Sequence, residues 1–224
     1  MSAKSMTICS LMRRRLMSSD DVAIMTGTWQ RGRAYNPFAV QRHGPGNIEY
    51  VFQSAEQRNE LKQLLAKTGW RVELVGRHGV GKSTLLRTME SWATEEGRSI
   101  RRLRCTGDRP RLPLLFWREI PRAGGVISLD GGERCPRWQL RLLSVLTHWR
   151  RTGLVITTHQ PLGFCHPVMI SSSPDQLHDV VAQLLGRPLD KPMMARLDNL
   201  LAEHGGSARE VIFQLYDEWE RSGD

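Results

Sequence analysis

The run Gly76-Arg77-His78-Gly79-Val80-Gly81-Lys82-Ser83 fits the spacing GxxxxGK[ST]. Each residue type in that pattern has a task at a phosphate. Glycines let the backbone turn its N–H groups inward around phosphate oxygens, where a Cβ would obstruct. Lys82 carries a charge long enough to reach the terminal phosphates. The Ser83 hydroxyl is a hard ligand for Mg²⁺. A helix starting at this point aims the positive end of its dipole at the anion. Gly76, His78, Gly79, Val80, Gly81, Lys82, Ser83 and Thr84 are therefore the candidate set for binding the phosphates of a nucleotide. A glycine-rich turn without a ligand would share the composition. It would not require a strand before it and an amphipathic helix after it, and both are expected here.

A second group of residues follows about 50 positions later in VISLDGGE, residues 126–133. Asp130 ends an apolar run and is expected to hold Mg²⁺ together with Ser83. The position after it, where a water-activating acid would be convenient, is Gly131. Glu133 is the nearest acid. It can serve as the catalytic base only if Gly131 and Gly132 curl the chain enough to bring it within hydrogen-bond reach of the attacking water.

These residues need a scaffold, and the patterning supplies one. WRVELVG (70–76), RSIRRLRC (98–105), GGVISLD (124–130), TGLVITTHQ (152–160) and PVMIS (167–171) read as strands. Helices are expected over 54–69, 84–97 and 136–151, with an irregular stretch of 107–122 holding at most a short helix. Alternating strands and helices imply an α/β fold, a mostly parallel five-stranded sheet flanked by helices. Arg71 and Glu73 strain this reading, because a central parallel strand is normally apolar on both faces. They are expected at the strand's open end. Three capped helices follow Ser173, Asp190 and Ser207. The expected divisions are a weakly ordered 1–34, a nucleotide-binding α/β domain over 35–172 and a helical lid over 173–224. No apolar stretch reaches membrane-helix length, and the N-terminal charge order does not suit a secretory signal. Cys9, Cys105, Cys135 and Cys165 form no CxxC pair, so reduced thiols in a cytoplasmic protein are expected.

With these motifs in place, the chain resembles the P-loop NTPases, and within them the AAA+ class and its STAND relatives. The resemblance spans roughly 35–222 and rests on short motifs. They are the order of elements, the strand end Thr157-Thr158-His159 and the segment GGSAREVIFQL (205–215). It implies that Thr158 senses the γ-phosphate, with His159 close behind, and that Arg209 reaches the same group from the lid. Ser207 and Glu210 also explain themselves as a helix cap, which would leave Arg209 an exposed helix residue. Tyr35-Asn36-Pro37-Phe38 is similar to the linker that runs near the adenine in this class. The class usually has a glutamate directly after the metal aspartate, and this chain departs from that pattern. Arg150 and Arg151 are the places an arginine finger could occupy. Three activities remain open at this point: ATP hydrolysis, a nucleotide switch that never cleaves, and phosphotransfer to a small acceptor.

The net charge is +9 and unevenly placed. Residues 98–122 hold eight arginines against Asp108 and Glu119, and 134–151 hold five arginines and no acid. On the helix expected there, Arg137, Arg141, Ser144, His148 and Arg151 share one stripe, with Trp138, Leu142, Val145 and Trp149 on an apolar face opposite. Nucleic acid bound through Arg98–Arg122 and Arg137, Arg141 and Arg151 is one reading, and a solvated basic face is the other.

Overall fold

The computed structural model describes residues 36–39, 49–105, 112–121 and 123–222. The N-terminal segment 1–34, Tyr35, and Arg109, Arg111 and Arg122 lie outside them. In chain order the elements are α1 (Ala55–Thr68), β1 (Arg71–Val75), α2 (Lys82–Glu95), β2 (Ile100–Arg104), α3 (Leu114–Arg118) and β3 (Val126–Asp130). A 3₁₀ turn (Gly132–Arg134) leads into α4 (Arg137–Trp149). Then come β4 (Gly153–Thr158), β5 (His166–Met169), α5 (Pro174–Leu185), α6 (Lys191–Glu203) and α7 (Ala208–Ser222).

All four strand pairings are parallel, in the order β2-β3-β4-β1-β5. Successive side chains alternate between two cores. Val72, Leu74, Val126 and Val155 pack with α1 and α2 on one face. Ile127, Leu129, Leu154 and Ile156 pack with Phe116 of α3 and with Leu140 and Leu143 of α4 on the other. A third core, centred on Leu177, Val181, Leu197 and Val211, joins α5, α6 and α7 and takes in Phe38. These helices start as their caps require. Ser173 and Gln176 close a reciprocal capping box on α5, and the Asp190 carboxylate accepts from Met193 N on α6.

Glu73 is not at an open strand end. It is fully buried in β1, and its carboxylate accepts hydrogen bonds from the backbone N–H groups of Leu162, Gly163, Phe164 and Cys165 at 2.6 to 3.4 Å. Arg71, on the same face, donates to Thr147 Oγ1 and Ser144 Oγ of α4. The polar alternation in β1 is thus a clamp on the β4–β5 loop, because a buried charge is tolerated when hydrogen bonds surround it. Glu73→Ala should lower the unfolding free energy by roughly 2–4 kcal/mol, since it strands several donors at once. Urea denaturation followed by circular dichroism measures this.

Two further expectations are corrected. Cys105 and Cys135 are joined as a disulfide, with Cα atoms 6.6 Å apart. Thirty residues separate them in sequence, but β2 and β3 are neighbours, so the end of one meets the turn after the other. Cys165 is free, and burial pushes its thiol pKa up to about 12. The second correction concerns α4. Its core-facing side is Gln139, Leu140, Leu143 and Thr147, whereas Trp138, Leu142, Val145 and Trp149 are exposed. Among the described residues, no helix is long and apolar enough to cross a membrane.

Candidate nucleotide site

A cleft of about 470 Å³ opens at the C-terminal ends of the strands. Its floor is the loop between β1 and α2. Gly81 takes φ +89 before α2 and supplies no side-chain cap, so the first N–H groups of this 14-residue helix have no side-chain acceptor at Gly81. That is the arrangement an anion completes. His78, Gly79, Val80, Gly81, Lys82, Ser83 and Thr84 all line the cleft. Gly76 stands just behind it, where a Cβ would run into Ile170 O. Lys82 is folded onto its own loop, its Nζ donating to Gly76 O and Arg77 O at 2.6 Å each. Burial lowers its pKa and nearby Arg209 adds to that, while Glu133 and Asp130 oppose it.

The β3 end places Asp130 beside this loop. Ser83 Oγ donates to Asp130 Oδ1 at 3.0 Å, and Thr157 Oγ1 donates to the same oxygen at 2.7 Å. Gly131 N donates in turn to Thr157 Oγ1 at 2.8 Å. Two hard oxygen ligands, one a carboxylate, thus converge at a helix N-terminus. That donor set fits Mg²⁺, which takes one or two protein oxygens and fills its shell from water and phosphate.

Gly131 has φ +80, and the 3₁₀ turn begins directly after it. Gly132 lies against Ile156, where a Cβ would collide with Cγ2. The turn delivers Glu133 to the cleft. Its Oε1 lies 3.5 Å from His159 Nε2, and its Oε2 is buried without a hydrogen-bond partner. His159 packs edge-on against His78, ring centroids 3.8 Å apart. Burial lowers the pKa of His159, against the pull of Glu133.

Thr158 does not reach the cleft. It is fully buried on the opposite face of β4, and its Oγ1 has no hydrogen-bond partner. Only its carbonyl adjoins the loop, accepting from Gly76 N. Strand alternation gives the cleft to Thr157 and His159 instead. The period of two accounts for the placement: Thr157 shares its side with Val155, and Asp130 shares that side of the sheet with Ser128.

The C-terminal helices close one wall. Arg209 of α7 lines the cleft, and Arg77 Nη1 donates to Gly205 O at 3.2 Å. Gly79 takes φ +77, and a Cβ there would strike Ser207 Oγ and crowd Arg209 Cβ. Gly79→Ala should therefore displace the start of α7 from the loop and weaken nucleotide affinity by about tenfold, if about 1.4 kcal/mol is lost. Calorimetric titration with nucleotide measures it. An apolar corner of the same cleft is formed by Phe38, Tyr50, Val51, Val180, Ile212 and Phe213. Phe38 is fixed by Trp219 and by its own N–H donating to Asn36 Oδ1. Gln176 Nε2 donates to Val51 O and to the Tyr50 hydroxyl. Tyr50, whose pKa burial raises, carries no motif that would mark it in sequence.

The basic residues fare differently from one another. Arg98 pairs with Glu96, Arg101 with Glu119 and Arg102 with Glu90. Arg104 lies 3.9 Å from Asp130. Arg150 donates to Ile120 O at 3.0 Å.

No family model matches the sequence, and no curated protein matches it. Solved structures do. Cdc6p from Pyrobaculum aerophilum is similar with a TM-score of 0.58 and 18% identity, over 80% of this chain and 64% of that one. The replication initiator DnaA, bound to AMPPCP and single-stranded DNA, is similar with a TM-score of 0.50 and 13% identity, over 74% of this chain and 61% of that one. The chain thus spans less than two thirds of either. At such identities the likeness concerns the fold alone, and this chain shares the fold of these two proteins.

Proposed function

We propose that the chain binds Mg-ATP in this cleft and hydrolyses it. The carrying observation is the convergence of Lys82, Ser83, Asp130, Glu133 and Arg209 on one cleft from three separate segments of the chain. In this reading the N–H groups of residues 79–84 and the Lys82 ammonium bind the β- and γ-phosphates. Ser83 Oγ and Asp130 would hold Mg²⁺, which would offset the charge of the phosphates when bound. Glu133 Oε2, buried and without a partner, orients a water and accepts its proton as the water oxygen bonds to the γ-phosphorus. The bond from that phosphorus to the ADP oxygen breaks. Thr157, and His159 just beyond the end of β4, replace Thr158 as the polar groups that face the γ-phosphate. Arg209 adds positive charge from the far wall and ties α7 to the bound nucleotide. The apolar corner around Phe38, Tyr50 and Ile212 receives the base.

Nucleic acid is the weaker partner reading for the arginines in and just before β2, since Arg98, Arg101 and Arg102 already face carboxylates. The proposal is tested by titrating ATP with and without Mg²⁺. Asp130→Ala should lose most of the Mg²⁺-dependent gain in affinity, about tenfold, while binding without metal changes little. Metal-independent affinity in the wild-type protein would rule out the assigned roles of Ser83 and Asp130.

A further inference from the structure

The four exposed residues of α4 form a continuous row. Trp138 is 64% exposed, Leu142 43%, Val145 61% and Trp149 79%. They recur at i, i+4, i+7 and i+11, which places them on one side of the helix over about 16 Å. The helix does not need them for its own packing, because Leu140, Leu143 and Thr147 already bury a different side. Each tryptophan can bury about 150–250 Å². The row therefore reaches the few hundred Å² at which exposed apolar surface marks an interaction site.

Charge identifies the occupant. Arg137, Arg141 and His148 run along one edge of the row, all exposed. No acidic residue lies between 134 and 151 to neutralise them. An apolar row with a basic edge is complemented by an apolar row with an acidic edge. A helix that buries i, i+4, i+7 and i+11 anchors has this form. A second copy laid antiparallel on α4 would instead bring two arginine edges to the same side. Leu142 and Val145 in the centre of the row favour side-chain packing over base stacking.

We propose that this face of α4 docks an acidic amphipathic helix of a partner protein. Trp138 and Trp149 are the anchors, and Arg137 and Arg141 set polarity and register. Pro136 and Cys135 join α4 to the turn that carries Glu133, so the partner would sit one short connection from the cleft.

The test is a fluorescence titration of the full chain with an 18-residue helix-stabilised peptide. The peptide carries leucines at i, i+4, i+7 and i+11 and glutamates along one edge. The tryptophan emission should shift to the blue, and binding should be about tenfold tighter than for the same peptide with lysines in place of glutamates. Trp149→Ala should weaken it about 30-fold. Arg137→Glu with Arg141→Glu should invert the preference towards the lysine peptide, a gain that a damaged fold could not give. Equal binding of the two peptides, or none, overturns the proposal. So does binding of a twenty-nucleotide oligo-dT at this face in place of the peptide. Concentration-dependent self-association that Trp149→Ala removes would assign the face to a second copy and overturn it equally.

Discussion

Glu133→Gln should bind Mg-ATP as tightly as the wild-type protein and cleave it about 10²–10⁴-fold more slowly. The substitution keeps the side chain's size and removes its capacity to accept a proton. The turn should survive it, because its geometry comes from Gly131 at φ +80 and from Gly132 packed on Ile156. The Glu133–His159 contact, at 3.5 Å, can persist as a neutral polar one. Binding and chemistry therefore separate in this variant. Equilibrium binding of labelled ATP and single-turnover phosphate release, measured side by side, read the two effects. Unchanged release would remove Glu133 as the base, and the departure from the usual acid position would then mean that water is activated elsewhere or not at all.

Lys82→Ala should fail at the earlier step. Lys82 supplies the cationic side chain rising from the phosphate loop itself, and its Nζ already spans the loop through Gly76 O and Arg77 O. Truncation removes the charge proposed to meet the β- and γ-phosphates and leaves those two carbonyls without that donor. A lost charge-assisted contact of about 3 kcal/mol corresponds to roughly a 100-fold weaker affinity for ATP. AMP, which lacks both phosphates, should be nearly indifferent to the change. Calorimetric titrations of both nucleotides into both proteins separate a phosphate-specific loss from general damage to the cleft. Equal loss for AMP and ATP would place the effect in the loop's fold.

The contrast between these two positions shows what the sequence could carry. Lys82 is legible because its neighbours fix its geometry: a strand, a loop of set length and a helix start. The strands were legible as short runs bounded by turn residues, largely apolar except for the arginine-rich β2. Their order was not, since β2-β3-β4-β1-β5 is settled by packing between distant segments. The Cys105–Cys135 link was hidden by the same gap, and so was the clamp that Glu73 makes on residues 162–165. Thr158 shows a different failure. Two adjacent threonines at a strand end point to opposite faces, and the choice depends on the register of the whole strand. Leu154, Val155 and Ile156 are all apolar, so the parity shows only in the structure, where Val155 and Ile156 serve opposite cores. On α4, an apolar stripe was readable but its direction was not. A helix flanking a sheet can bury one apolar face and still present another, and only the burial of Leu140 and Leu143 decides which is which.

The central claim is that this cleft cleaves ATP as well as holding it. The most direct measurement uses the wild-type chain in excess over γ-labelled ATP, with Mg²⁺, in a single turnover. All the label should be released as inorganic phosphate, with no added acceptor, and release should stop on removal of Mg²⁺. ATP that is bound yet recovered intact, or phosphate that leaves only when a small acceptor is supplied, would contradict it.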